Sequence, residues 1–212
     1  MSKVLILGAS GQIARWVIRM LADARDLELT LFLRHKRKLQ VAVPGNAHVI
    51  VGNVLEDKEL TAAMTGQNIV YANLTGEDID QQAGHVIAAM QAARVKRLIF
   101  ITSLGIYDEV PGKFGVWNRG QIGAYLPPFR RAADAIEASG LNYTVLRPAW
   151  LQDKDEVAYE TTEKGEMFKG TEVSRKSVAD LVVKIIRSPT LHSKRNLGVD
   201  KPGTDGNKPS FY

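Results

Sequence analysis

Three groups of residues in this 212-residue chain have types and spacings that can do chemistry. The first is Gly8-x-x-Gly11-x-x-Ala14, preceded by the apolar run Val4–Leu7 and followed by Ile13, Trp16, Val17, Met20 and Leu21. A short apolar run suits a strand buried on both faces of a parallel sheet, and the later spacing is the stripe of an amphipathic helix. Gly8 permits a tight turn, Gly11 lets backbone approach a pyrophosphate, and Ala14 is small enough for helix and strand to pack closely. The helix N-terminus offers free N–H groups and a positive dipole end to phosphates. Gly8, Ser10, Gly11, Gln12 and Ile13 thus form a dinucleotide site.

The second group is Arg34-His35-Lys36-Arg37-Lys38. In a nucleotide-binding βαβ unit an acid about 20 residues beyond the glycines meets the ribose 2′-hydroxyl and selects NAD. Here Arg34 stands in that place, with Arg37 and two lysines behind it. A guanidinium grips a 2′-phosphate with two parallel hydrogen bonds, which favours NADP(H). A solvated basic loop is the plainer alternative. The third group lies at two strand ends: Asn53 and Val54, suited to the edge and face of an adenine, and Ala72 with Asn73, near the expected cofactor ribose.

These groups need a frame. The length fits one domain, residues 1–212. Hydrophobic content of 45% supplies a core, and 24% charged residues is ordinary for a globule. No run approaches the ~20 apolar residues of a membrane span, and the chain enters a strand at once, so a cytoplasmic location without a signal peptide is expected. The absence of cysteine excludes disulfides and thiol chemistry, and the four histidines show no metal-ligand spacing. The net charge of +5 is concentrated in part at Arg34–Lys38, so an anionic small molecule accounts for it better than a nucleic acid.

Alternating patterns predict strands at Leu27–Leu33, Ala47–Val51, Ile69–Ala72, Arg97–Ile101, Tyr143–Leu146 and Leu197–Val199. Helices are predicted at Asp57–Met64, Ile79–Ala93, Pro128–Ala138 and from Ser174, an N-cap, to Arg187. Residues 104–124, with five glycines and three aromatics, are expected to be a long loop serving as a substrate lid. Residues 152–172 are expected to be irregular, a second lid. The alternation gives an α/β fold: a single Rossmann-like, doubly wound parallel sheet with helices on both faces.

In Gly8-Ala9-Ser10-Gly11-Gln12-Ile13-Ala14, Thr102-Ser103, the stretch Ser139–Pro148 and Ser174–Ala179, the chain resembles an atypical short-chain dehydrogenase/reductase of the NAD(P)H-binding, NmrA-like group. The resemblance implies strand order 3-2-1-4-5-6, usually with a seventh strand, and places backbone around Pro148 near the nicotinamide. The chain departs from the usual Tyr-x-x-x-Lys, in which Tyr transfers a proton and Lys lowers its pKa. Phe129 stands four residues after Tyr125, and Pro111 four after Tyr107.

Two functions follow. One is a reductase of a flat acceptor such as a flavin or quinone, which takes hydride and draws its proton from water; the resemblance extends to flavin and biliverdin reductases. Ser103, Tyr107 and Tyr125 are its candidate catalytic residues, and Phe114, Trp117, Tyr125 and Trp150 its candidate stacking faces. The other is a nucleotide-level sensor that binds NADP(H) and a protein partner without turnover. A sugar-nucleotide epimerase is a third and weaker reading.

Overall fold

The computed structural model describes residues 1–212. The first strand, β1 (Ser2–Leu7), is followed by helix α1 (Gln12–Met20) and strands β2 (Leu27–Leu33) and β3 (Ala47–Val51). Next come α2 (Asp57–Met64), β4 (Ile69–Ala72), α3 (Ile79–Ala92), β5 (Arg97–Ile101), α4 (Gly112–Ile122) and α5 (Leu126–Ala138). The chain continues through β6 (Asn142–Pro148), β7 (Trp150–Gln152), β8 (Glu160–Glu163), β9 (Glu172–Ser174), α6 (Arg175–Arg187) and β10 (Arg195–Asp200).

Eight strands make one sheet in the order β3-β2-β1-β4-β5-β6-β10-β8, and only β8 runs antiparallel. The 3-2-1-4-5-6 core and a seventh parallel strand, β10, are as the resemblance implies. Val4, Leu5, Ile6 and Leu7 are fully buried, because β1 sits between β2 and β4 with helices on both faces. The core is two layers. One packs α1 and α6 against the sheet around Val17, Ile18, Val178 and Val182; the other packs α2, α3 and α5 around Leu60, Val86 and Ile136. The chain leaves β1 toward β2 and returns to its other side as β4, and this reversal opens a crevice at the carboxyl ends of the strands, where such sheets bind ligands.

Two sequence expectations are corrected. The expected loop at 104–124 contains α4, then a 3-10 turn at Gly123–Tyr125 leading into α5. Glycine costs about 1 kcal/mol per residue in a helix, so Gly115 and Gly120 masked it. Tertiary packing overrides that cost: Phe114, Gly115 and Asn118 are buried, and a Cβ on Gly115 would collide with the Val110 carbonyl oxygen. Trp117 lies 4.8 Å from the Trp150 ring and 5.2 Å from Tyr212, while Trp150 Nε1 donates to Asn118 Oδ1 at 2.8 Å. The expected irregular stretch 152–172 contains β8, an edge strand paired with β10. Its sequence, Glu-Thr-Thr-Glu, carries no apolar alternation, because an edge strand of this length buries only Thr162.

Candidate functional site

The glycine turn is locked by backbone. Gly8 and Ala9 N–H both donate to Phe32 O at 3.0 and 3.2 Å, and Gly11 N–H donates to Gly8 O at 2.9 Å. Gly8 has φ of 74°, a left-handed conformation that favours glycine. Asn73 N–H donates to Leu7 O at 2.9 Å, which brings the loop after β4 against the turn. A Cβ on Gly11 would overlap Asn73 Nδ2. A side chain at Gly11 would thus force the Asn73 amide to move, a constraint that the expected approach to a pyrophosphate did not include. Asn73 Oδ1 in turn accepts from the Tyr71 hydroxyl at 3.2 Å, and burial raises the Tyr71 pKa well above its ordinary value. No side chain caps the start of α1, so its first N–H groups stay available to an anion.

Around this turn the crevice has two adjoining parts that share Gly11, Asn73, Leu74 and Thr75. The first is lined by Gly8, Ser10, Phe32, Arg34, His35, Lys38, Asn53 and Val54. All five residues from Arg34 to Lys38 are exposed, and a 3-10 turn over Lys36–Lys38 curls the cluster. No acidic residue occurs between Glu28 and Glu56 to neutralise them. Asn53 is fixed rather than free: its N–H donates to Glu59 Oε2 at 2.8 Å and its Oδ1 accepts from Leu55 N–H at 3.3 Å. Gln82, buried on α3, donates to Thr75 O at 3.1 Å and Asp78 Oδ1 at 2.7 Å, pinning the floor between the two parts.

The second part is lined by Gln12, Ile13, Thr102, Ser103, Ile122, Tyr125, Leu126, Phe129, Leu151 and Arg175. Thr102 Oγ1 donates to Leu146 O at 3.1 Å and Ser103 Oγ to Leu104 O at 3.1 Å. The chain after β5 is held from behind by a buried ion pair. Glu109 accepts from the N–H groups of Gly105 and Tyr107 at 3.0 and 2.8 Å and pairs with Arg147, which is fully buried in β6. Arg147 Nε donates to Asn196 Oδ1 at 2.9 Å. Nothing in the spacing announced this pair, although Arg147 lies in the Ser139–Pro148 stretch.

The structure gathers Gly8, Ser10, Gly11, Gln12, Ile13, Arg34, Asn53, Val54, Asn73, Ser103 and Tyr125 on the crevice. It does not place the others there. Tyr107 is turned away: its hydroxyl meets Asp134 Oδ1 at 3.3 Å and Asn196 Nδ2 at 3.1 Å. Burial and the nearby Glu137 and Asp134 carboxylates also push its pKa up. The aromatics Phe114, Trp117 and Trp150 pack on one another rather than on the second part. Ala72 and Pro148 are buried strand residues, and the Pro148 carbonyl already accepts from Leu104 N–H at 3.2 Å. Arg37 is exposed and is not among the residues that line this part, whereas His35 and Lys38 are. Sequence reasoning missed Gln82, Phe129, Leu151 and Arg175 as lining residues; only the i, i+4 relation of Asp78 and Gln82 was a usable signal.

The fold and the crevice define a Rossmann-type dinucleotide-binding protein. The chain belongs to the NAD(P)H-binding family, whose model matches residues 8–189. A Rossmann-fold NAD(P)-binding family protein from Shigella flexneri is 56% identical, with a TM-score of 0.88 over the whole of both chains. A short-chain dehydrogenase/reductase (wide type) from Veillonella parvula DSM 2008, solved in complex with NADP, is 27% identical with a TM-score of 0.89 over 99% of each chain. Among curated proteins, an uncharacterized sugar epimerase, YhfK, of Bacillus subtilis strain 168 is 26% identical over 163 residues, 72% of this chain and 73% of that protein. No helix is long and apolar enough to cross a membrane.

Proposed function

We propose that this NAD(P)H-binding protein is an NADP(H)-dependent reductase of a flat acceptor, of the flavin or quinone kind. The observation that carries the reading is the division of one crevice into a cationic part and an apolar part that share Gly11 and Asn73. Arg34, His35 and Lys38 supply donors for a 2′-phosphate, and the uncapped start of α1 supplies them for a pyrophosphate. The Veillonella relative with NADP supports that preference.

In the apolar part, Leu126, Phe129 and Leu151 would exclude water from the ring faces of an acceptor, and Ser103 would donate to an acceptor oxygen by turning its O–H away from Leu104 O. Tyr125 is half exposed, with Phe129 rather than a lysine four residues on. The chain thus lacks the tyrosine–lysine pair that alcohol, ketone and epimerase chemistry calls on. Bound NADPH supplies a hydride, and a quinone or oxidised flavin that accepts it with one proton from water becomes the two-electron-reduced form.

The test is to mix protein, NADPH and a panel of flavins and quinones and follow the loss of nicotinamide absorbance. Turnover of at least one acceptor is expected. Tight NADPH binding with no acceptor reduced would replace this reading by the nucleotide-level sensor acting through a protein partner.

A further inference from the structure

The second part of the crevice contains one cation. Its walls are Ile122, Tyr125, Leu126, Phe129 and Leu151, and into them projects Arg175, the first residue of α6. Apart from exposed Glu77, no other charged side chain lines this part. The Arg175 side chain is only 17% exposed, and it spends one of its five N–H donors, Nη1 to Asp153 Oδ1 at 2.9 Å. The neighbouring cation, Lys176, is directed elsewhere: its Nζ meets Asp155 and lies 5.3 Å from the Trp16 ring.

We infer that Arg175 is a specificity-determining residue that binds a carboxylate carried by the acceptor, with Asp153 holding that place until the acceptor arrives. Arg175 is little exposed and keeps four N–H donors beyond its bond to Asp153, and a planar carboxylate matches an arginine fork with two parallel hydrogen bonds. The group Arg175 already meets is a carboxylate, that of Asp153 outside the lining of this part. The Asp153 side chain is 75% exposed, so it returns to water when an incoming acid takes its place on Arg175. The substrate class is then a flat, apolar ring system with an acidic side chain. This rests on the second part being the acceptor's site.

The experiment is a calorimetric titration of NADP⁺-saturated protein with 2-methyl-1,4-naphthoquinone bearing a 3-propionate, and with its methyl ester. A charge-assisted hydrogen bond contributes about 1.5–3 kcal/mol, so the wild type should bind the acid roughly ten- to a hundredfold more tightly than the ester. Arg175→Ala should abolish that ratio, Arg175→Lys should keep part of it, and Asp153→Ala should tighten the acid alone. Equal binding of acid and ester by wild type would overturn the inference. So would an Arg175→Ala protein whose NADP⁺ affinity falls as far as its affinity for the acid, since Arg175 would then be a cofactor contact. Binding is read independently of turnover. Arg175-dependent acid binding with no NADPH oxidation would sink the reductase reading alone, and turnover with no acid preference would sink only the role of Arg175.

Discussion

The nucleotide half of the crevice draws on four short stretches, all between Gly8 and Gln82, whereas the acceptor half gathers Gln12, Ser103, Tyr125, Leu151 and Arg175 from five stretches that reach across most of the chain. The first half gets its geometry from the hydrogen bonds of one turn and its charge from five consecutive residues. The second depends on a loop tied down by a buried ion pair and on helices that pack across the sheet. Local geometry thus serves the part common to dinucleotide binders, and tertiary packing builds the part proposed to take the acceptor. The two halves should therefore fail separately.

The largest expected effect falls on the acceptor half. Glu109→Ala leaves the Arg147 guanidinium buried without its counter-charge, and breaking such a pair costs about 3–5 kcal/mol. In a chain of this size that lowers Tm by roughly 6–20 °C. The protein that remains folded should keep its affinity for NADP(H) while losing acceptor turnover. Equal loss of both activities would mean that the halves are one mechanical unit.

Asp200 gives a smaller effect that touches neither half. It is fully buried, its Oδ2 accepts from Gly170 N–H at 2.8 Å, and its Oδ1 has no hydrogen-bond partner. Burial raises its pKa from 3.8 to about 6. A carboxyl that ionises less readily when folded penalises the folded state as pH rises through that interval, and the penalty is absent below the unfolded value. Asp200→Asn should be more stable than wild type at pH 8 by about 2–3 kcal/mol, with the advantage vanishing near pH 4. Denaturant titrations at the two pH values check this, and cofactor affinity at pH 8 should not move.

In the nucleotide half, Arg34→Ala should weaken NADP(H) by roughly ten- to a hundredfold and leave NAD(H) nearly unchanged. His35 and Lys38 share the wall and hold the loss toward the lower figure. An equal loss for both cofactors would return the cluster to a solvated loop. The mildest change is Ser103→Ala, which removes one neutral hydrogen bond. It should lower acceptor turnover about three- to tenfold, with cofactor affinity retained. Wild-type turnover would make Ser103 a strand-end cap only.

The contrast also explains what was legible in the sequence. The strands from β1 to β5, helix α2, the Ser174 cap on Ser177 N–H and the glycine turn all follow from patterns spanning fewer than about ten residues. Arg34 was legible because its meaning depends on its distance from that turn. Helix α4 was not, because its glycines speak against a helix, and only folding reveals the close approach of Gly115 to Val110 and the bond from Trp150 to Asn118 that hold it. Tyr107 misled in the same way: a tyrosine shortly after β5 suggests catalysis, but Asn196 and Asp134, 89 and 27 residues away, draw its hydroxyl off the crevice. Arg175 gave no signal, since a pocket between α1, α5 and α6 exists only after folding.

A crystal structure of the NADP⁺ complex tests the central claim, that one crevice holds cofactor and acceptor in two adjoining parts, most directly. The 2′-phosphate should lie within hydrogen-bond reach of Arg34 or Lys38, and the pyrophosphate at the start of α1. The nicotinamide should face the space bounded by Ser103, Tyr125 and Phe129. A nicotinamide turned away from Ser103, or a 2′-phosphate that meets none of the cations from Arg34 to Lys38, would contradict the account.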